Sequence, residues 1–396
     1  MLKLASALLA GSLGLATLGA PAIAADRPTI TPKATDRVVC LGDSITDGYT
    51  YGQIIMQALR EASKPVPAVI CAGVASDTAR LMAGRTEKTV LIFQPALVTF
   101  SAGTNDALHG VTPEQYEAAL REIVTKVKGQ GDQMILLTPC AIQFPNEKDE
   151  KVRAERRQAT DERLATYEAV IRKVAAENQF PVAENHALMT EAEQANRAIM
   201  SADGIHPNYY GQSLMARSIL DAMGYAAVPL PKEFAPRLFP GIIGEWKMRV
   251  APDGKPLTAD AVKALKTDDT WKAYTLPDAV PDAKPSAEDW WEQERRNGFG
   301  LQLEKVVGKG LIQAVAVIEA KEAKKVYLNT SVSIATVWLN GQKLHEQGAA
   351  WTGFHAGKER LAAELVAGAN ALVVEINGGQ FFLSITDQLV WEEALK

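Results

Sequence analysis

Val38-Val39-Cys40-Leu41 runs unbroken into Gly42-Asp43-Ser44. Four consecutive apolar residues ending at a glycine read as a strand buried on both faces, because a half-exposed strand would alternate apolar with polar. The pattern returns at Val69-Ile70-Cys71, Leu97-Val98-Thr99-Phe100 and Met134-Ile135-Leu136-Leu137. Helical signals fall between these runs. Thr112-Pro113-Glu114-Gln115 is a capping box with proline at the first helical position, leading into Ala119, Leu120, Ile123, Val124 and Val127. Leu164, Tyr167, Val170, Ile171 and Val174 fall on one face of another helix. Strands alternating with helices through short loops predict an α/β fold built on a doubly wound parallel sheet. Ser44, Gly73 and Asn105 then each fall just past the carboxyl end of a strand, where open α/β sheets bind ligands.

Three short strings follow one another along this half: Gly42-Asp43-Ser44, Gly103-Thr104-Asn105-Asp106 and Asp203-Gly204-Ile205-His206-Pro207. Their joint occurrence by chance is roughly one in ten thousand. Acyl transfer needs a nucleophile, a base to take its proton, a group to orient that base and donors for the oxyanion. Ser44, His206, Asp203 and Asn105 are residues of those types. Asp203 and His206 stand three apart and are followed by Pro207, which favours a tight turn, so the carboxylate can reach back to the imidazole Nδ1. A hydrolase of the nucleophile-elbow kind would carry Gly-x-Ser-x-Gly, which this chain lacks. His109, His186, His345 and His355 are read as structural or solvent-exposed, with His109 on a surface loop rather than at the pocket mouth.

These strings resemble the SGNH hydrolases, the GDSL esterase/lipase family, over about residues 36 to 225. The resemblance implies a flavodoxin-like sheet, Ser44 as nucleophile, the Gly73 backbone N–H of Cys71-Ala72-Gly73-Val74 and the Asn105 side chain as oxyanion donors, and Asp203 with His206 as acid and base. Where many members carry a second glycine shortly after the one matched by Gly73, this chain reads Ala75-Ser76, a departure that bears on the shape of that loop.

Residues 1–24 open with Lys3, continue through an Ala/Leu/Gly stretch and end in Ala22-Ile23-Ala24, so they read as a signal peptide and the protein as exported, periplasmic or extracellular. No integral membrane segment is expected after its removal, which deletes one lysine and takes the formal charge from −5 to −6. Such mild acidity argues against a nucleic-acid partner. Cys40, Cys71 and Cys140 read as buried core thiols, with a Cys40–Cys71 bridge conceivable between neighbouring strands. Metal-binding strings and glycine-rich phosphate loops are missing, so no cofactor or metal is expected. Oligomeric state is left open.

The rest of the chain is too long for one core. All seven tryptophans lie after residue 240, beyond a connector punctuated by Pro229, Pro231, Pro236 and Pro240. We therefore expect a hydrolase domain over 25–228, a proline-rich linker over 229–240 and an all-β domain over 241–396. Val326 to Leu339 reads as strand, turned by Asn340-Gly341 into Gln342-Lys343-Leu344. A second hairpin is expected to join Ala371–Ile376 to Phe381–Ile385 through Asn377-Gly378-Gly379. Val337-Trp338-Leu339-Asn340-Gly341, together with Leu365 to Asn370, resembles galactose-binding-like jelly-roll modules over about 300 to 390, which implies a β-sandwich. Most of the tryptophans are expected to fill its core. Trp351 is the candidate for exposure and sugar stacking.

The substrate expected is an acylated carbohydrate or another small ester. Export, the sugar-module resemblance and the charge-rich segment Asn146 to Arg163 favour O-acetyl groups of polysaccharides or oligosaccharides, because a cover over a long-acyl pocket should be apolar. The alternatives are a lysophospholipase or thioesterase of the same family, or a non-catalytic carbohydrate-binding protein. The β domain is read as a targeting module, against the competing view of a structural cap.

Overall fold

The structure is a computed structural model that describes residues 28–235, 237, 239–275, 301–303, 307–330, 334–346, 359–377, 380–381 and 383–396. The leader 1–24, Trp290, Trp291, Trp351 and His355 lie outside the described residues.

The apolar runs form the strands expected of them. β1 (Arg37–Gly42), β2 (Ala68–Gly73), β3 (Leu97–Ser101), β4 (Gln133–Leu137) and β5 (Val182–Ala183) pair in the order β2-β1-β3-β4-β5, every pair parallel. Helices cover both faces: α1 (Ser44–Asp47), α2 (Thr50–Glu61), α3 (Ala79–Thr89), α4 (Thr104–Leu108), α5 (Pro113–Lys128), α6 (Glu150–Asn178), α7 (Asn185–Gln194) and α8 (Tyr209–Ala222). Alternate residues of β1 serve opposite cores. Val38 and Cys40 pack with Ile54 and Leu59 of α2 and Ile219 of α8, while Val39 and Leu41 pack with Met82 of α3 and Leu120 and Ile123 of α5. This is why the run is apolar without alternation. The strand order reverses between β1 and β3, which opens a crevice at their carboxyl ends.

Local signals explain the helix ends. Thr112 Oγ1 accepts from Gln115 N, and Gln115 Oε1 accepts from Thr112 N, which closes the capping box of α5. The charge-rich segment from Asn146 leads through the cap Asp149 into the 29-residue helix α6, which has no buried residue before Leu164. Its first turns therefore overhang the domain as a charged rod, joined to α7 by Arg157 and Glu193 at 2.7 Å.

After a connector come β6 (Glu245–Val250), α9 (Ala259–Lys263), β7 (Lys272–Thr275), β8 (Leu301–Gln302), β9 (Ile312–Ala320), β10 (Lys324–Thr330), β11 (Ile334–Leu339), β12 (Gln342–Glu346), β13 (Glu359–Leu365), β14 (Gly368–Ile376), β15 (Gln380–Phe381) and β16 (Leu383–Thr386). One sheet has the order β12-β11-β14-β9-β6-β7 and another β13-β10-β16, all antiparallel. They share a core that includes Trp246, Met248, Val326, Leu328, Val337 and Leu372, as in a β-sandwich. β8 and β15 pair separately.

The Asn340-Gly341 hairpin forms, with φ of 51° and 78° at its two turn residues. Two expectations are corrected. Val326 to Leu339 is not one strand but parts of β10 and β11, which belong to different sheets. The second hairpin is not formed either: β14 pairs with β9 and β11, whereas β16 pairs with β10 across the sandwich. Its turn residues Gly378 and Gly379 lie outside the described residues. A short apolar run records that a strand is buried but not which sheet takes it. Trp246, Trp271, Trp338 and Trp391 are all buried, but of these four only Trp246 lies in the sandwich core, which corrects the expectation that most of them fill it; Trp338 packs with Val262 and Val373 in a separate cluster.

Trp391 does not belong to the sandwich core. It packs with Phe239 of the connector and edge-on to Tyr49, within the cluster that holds Ile54 and Val69. Phe234 of the connector and Val228 just before it join the same cluster, and Gln57 Nε2 donates to the Glu233 carbonyl at 2.9 Å. Cys40, Cys71 and Cys140 are buried, and Cys71 Sγ donates to the Thr46 carbonyl at 3.0 Å. Among the described residues no helix is long and apolar enough to cross a membrane.

Candidate functional site

Ser44 begins α1, two residues past β1. Asp43 caps this short helix, its Oδ1 accepting from Ile45 N at 2.9 Å. The turn is too tight for any side chain at Gly42, where a Cβ would lie 2.0 Å from Thr46 Oγ1. Gly73, opposite Gly42 in the β1–β2 register, is equally constrained, since a Cβ there would come 2.3 Å from Asp47 N and 2.7 Å from the Asp43 carbonyl. Glycine at 73 thus has a steric reason besides the donor role expected of it: it lets β2 end directly beneath α1. In the loop beyond, Ser76 takes φ 67°, so the chain makes a left-handed bend with serine where glycine would be easier.

Asp203 and His206, the residues expected to serve as acid and base, share one loop. Gly204, at φ 74°, supplies the turn and packs against Pro145 and the Gln143 carbonyl. Asp203 Oδ2 lies 2.6 Å from His206 Nδ1, and His206 Nε2 lies 2.8 Å from Ser44 Oγ. The other carboxylate oxygen of Asp203 accepts from Ile205 N at 2.8 Å and His206 N at 3.0 Å. Burial alone would raise the Asp203 carboxyl. Hydrogen bonds from the His206 ring and from those two backbone groups outweigh it and hold the carboxyl well below the usual carboxylate range.

Asn105 lies in the first turn of α4, with its side chain facing the other two loops. Its Nδ2 donates to the Asp77 carbonyl at 3.0 Å and more distantly to Asp43 Oδ2 at 3.4 Å. His109 is exposed, its Nδ1 2.7 Å from the Asn105 carbonyl. His186 faces Glu168 at 3.1 Å and the buried His345 faces Glu359, so these are structural histidines.

Sequence reasoning gave no role to four residues around this centre. Asp106, buried at the end of the second string, accepts from Gly103 N at 3.2 Å and from Ala79 N at 3.1 Å, so it ties α4 to the start of α3. Burial raises its carboxyl to about 6. Burial likewise raises Asp43 to about 7, with Ile45 N and His206 opposing the shift and Asp106 and Asp77 adding to it. Asp77 and Arg85 form a largely buried ion pair at 2.6 Å. Asp43 and Asp106 were in view as members of strings, but Arg85, among Arg80, Glu87 and Lys88, looks like one more solvated helix charge. Among the described residues no group of three His, Cys, Asp or Glu side chains is placed to hold a metal ion.

The profile of the GDSL-like Lipase/Acylhydrolase family matches residues 40–214. The chain is 25% identical over 217 residues to an acetylxylan esterase of Geobacillus stearothermophilus, covering 48% of this chain and 94% of that one. It is 26% identical over 190 residues to thioesterase 1/protease 1/lysophospholipase L1 of Escherichia coli K12, covering 48% and 83%. A solved structure of a catalytic mutant of Axe2, an acetylxylan esterase from Geobacillus stearothermophilus, aligns at 21% identity and TM-score 0.43 over 51% of this chain and 100% of that one.

Proposed function

The N-terminal half of the chain is a domain of the GDSL-like lipase/acylhydrolase family, a carboxylic ester hydrolase, and from that premise we propose that Ser44 is its acylated nucleophile. The observation that carries this is the continuous chain from Ser44 Oγ to His206 Nε2, 2.8 Å, and from His206 Nδ1 to Asp203 Oδ2, 2.6 Å. His206 takes the Ser44 proton as Oγ attacks the ester carbonyl. Asp203, kept ionised, fixes the tautomer and steadies the imidazolium that forms. Charge on the carbonyl oxygen is met by the Asn105 side-chain N–H and the Gly73 N–H. His206 returns the proton to the departing alkoxide, then activates a water that releases the acid from Ser44.

For substrate we favour O-acetyl groups on polysaccharides or oligosaccharides, acted on outside the cytoplasm in keeping with the leader read in residues 1–24. Support comes from the acetylxylan esterase relative and from the surroundings of the acid–base loop. Gly204 packs on Gln143 and Pro145, which line a cavity of about 600 Å³ together with Phe144, Glu150, Arg153 and Arg157. Those charged walls come from the α6 overhang and suit a hydroxyl-rich alcohol better than a long acyl chain. The E. coli relative, named as thioesterase and lysophospholipase, supports the second reading. Ser44→Ala should remove nearly all activity, on the order of a million-fold. On a panel of acetylated xylan, acetylated pectin fragments, lysophospholipid and nitrophenyl esters, rates should fall with acyl length. A preference for long chains or lysophospholipid would decide for the second reading.

A further inference from the structure

We infer that Arg85 is a positioning residue of the oxyanion site, an inference that rests on the roles proposed for Ser44 and Asn105. The Arg85 guanidinium, on α3, bonds both the loop that carries Ser44 and the loop that carries Asp77. Its Nη2 donates to the Gly42 carbonyl at 2.9 Å, two residues before Ser44, and its Nε donates to Asp77 Oδ2 at 2.6 Å. Its Nη1 donates to Thr89 Oγ1 at 2.9 Å, which fixes the plane of the fork. The Asp77 carbonyl in turn receives Asn105 Nδ2 at 3.0 Å. The spacing between the nucleophile turn and the oxyanion donor is thus braced by one rigid, planar cation, beside the longer direct contact of Asn105 Nδ2 with Asp43 Oδ2 at 3.4 Å. The Gly42 carbonyl also accepts from Val74 N at 3.0 Å, so the bend past β2 is held at the same point.

A lysine would keep the charge but not this geometry, because an ammonium lacks the planar fork that reaches two acceptors at fixed angles. A buried ion pair adds little net stability when both partners are present, so stability alone gives weak reason for it. Catalytic groups, by contrast, lose about a hundred-fold when displaced by about 1 Å.

The test is a cycle of Arg85→Lys and Asn105→Ala in the full chain, with kcat and KM measured on a soluble acetyl ester. Arg85→Lys should lower kcat by about a hundred-fold with KM little changed. In the Asn105→Ala background the same change should cost no more than about three-fold, since groups acting as a unit are strongly non-additive. Equal losses in both backgrounds, a loss confined to KM, or wild-type kcat would overturn the inference. If Arg85→Lys does not fold, Asp77→Asn serves instead, with the same non-additivity expected. Failure of both to fold would make the pair a structural one and overturn the inference as well. Ser44→Ala separates the two levels. Activity surviving in Ser44→Ala would sink the catalytic reading itself, whereas an inactive Ser44→Ala beside an unaffected Arg85→Lys would sink only this one.

Discussion

Carboxylates within one site are driven in opposite directions by their partners. Asp203 gathers donors and is held low, so its contribution to stability is present at neutral pH and lost as pH falls through its depressed value. Asp43 is raised by burial to about 7. An acid raised in the folded state binds its proton there while the unfolded chain has already released it. It therefore stabilises at low pH, and that contribution is lost as pH rises from about 4 to about 7. Asp43→Asn removes the effect: between those limits wild-type stability should fall relative to the variant by up to about 1.4 kcal/mol per pH unit. Urea unfolding at several pH values reads this out, and parallel profiles would show that Asp43 ionises normally. For Asn105→Ala we expect kcat to drop by roughly a hundred- to a thousand-fold at nearly constant KM. A change in KM alone would make Asn105 a substrate-binding residue. Asp203→Asn should cost about ten-thousand-fold in kcat through the wrong His206 tautomer.

Elements were legible wherever their cause was local. The strands of the parallel sheet announced themselves because burial on both faces removes alternation, and α5 because its capping box closes within four residues. The closeness of Asp203 and His206, the proposed acid and base, was legible for the same reason, being one turn around Gly204. Asp77 and Arg85 were not, since their partners at Gly42 and Asn105 are brought near only by sheet order. The missing second hairpin has the same origin: Ala371–Ile376 and Phe381–Ile385 each look like strands, and only the sandwich assigns them to different sheets. At Gly73 an element boundary coincides with the proposed donor role. Gly73→Ala should force α1 away from β2 and destabilise the protein by about 1–3 kcal/mol, with loss of esterase activity because Ser44 moves with α1. Ser76→Gly, which relieves a left-handed serine, should leave both intact. Thermal unfolding and kcat on the two variants check this, and an unperturbed Gly73→Ala would mean that α1 yields without cost.

At the scale of the molecule, the contacts between the halves bear on what the tryptophan-rich part is for. Arg360 of β13 pairs with Glu392 through two oxygens, at 2.6 and 3.0 Å, with both side chains buried. Its guanidinium also lies 4.5 Å over the ring of Phe93 in the parallel-sheet half. Arg60 of α2 donates to the Leu395 carbonyl at 3.0 Å, and Trp391 and Leu395 complete the cluster around Tyr49 and Ile54. These contacts favour a structural cap over a module tethered by a free linker. A chain ending near residue 230 would lose Phe234, Phe239, Trp391 and Leu395 from that cluster and expose its apolar face. We expect such a chain to aggregate or to lose activity on small acetyl esters as well as on polymer. Trp391→Ala in the full chain should cost about 3–5 kcal/mol of stability. Removing one partner by Arg360→Leu should cost a similar amount, because it leaves Glu392 buried and uncompensated. The targeting view makes the opposite forecast: the truncated chain would stay soluble and keep its small-ester rate, losing only its rate on insoluble acetylated polymer, which alone gains from raised local concentration. Truncated and full-length protein compared on both substrates therefore decide between cap and module, and wild-type rates on both would defeat each.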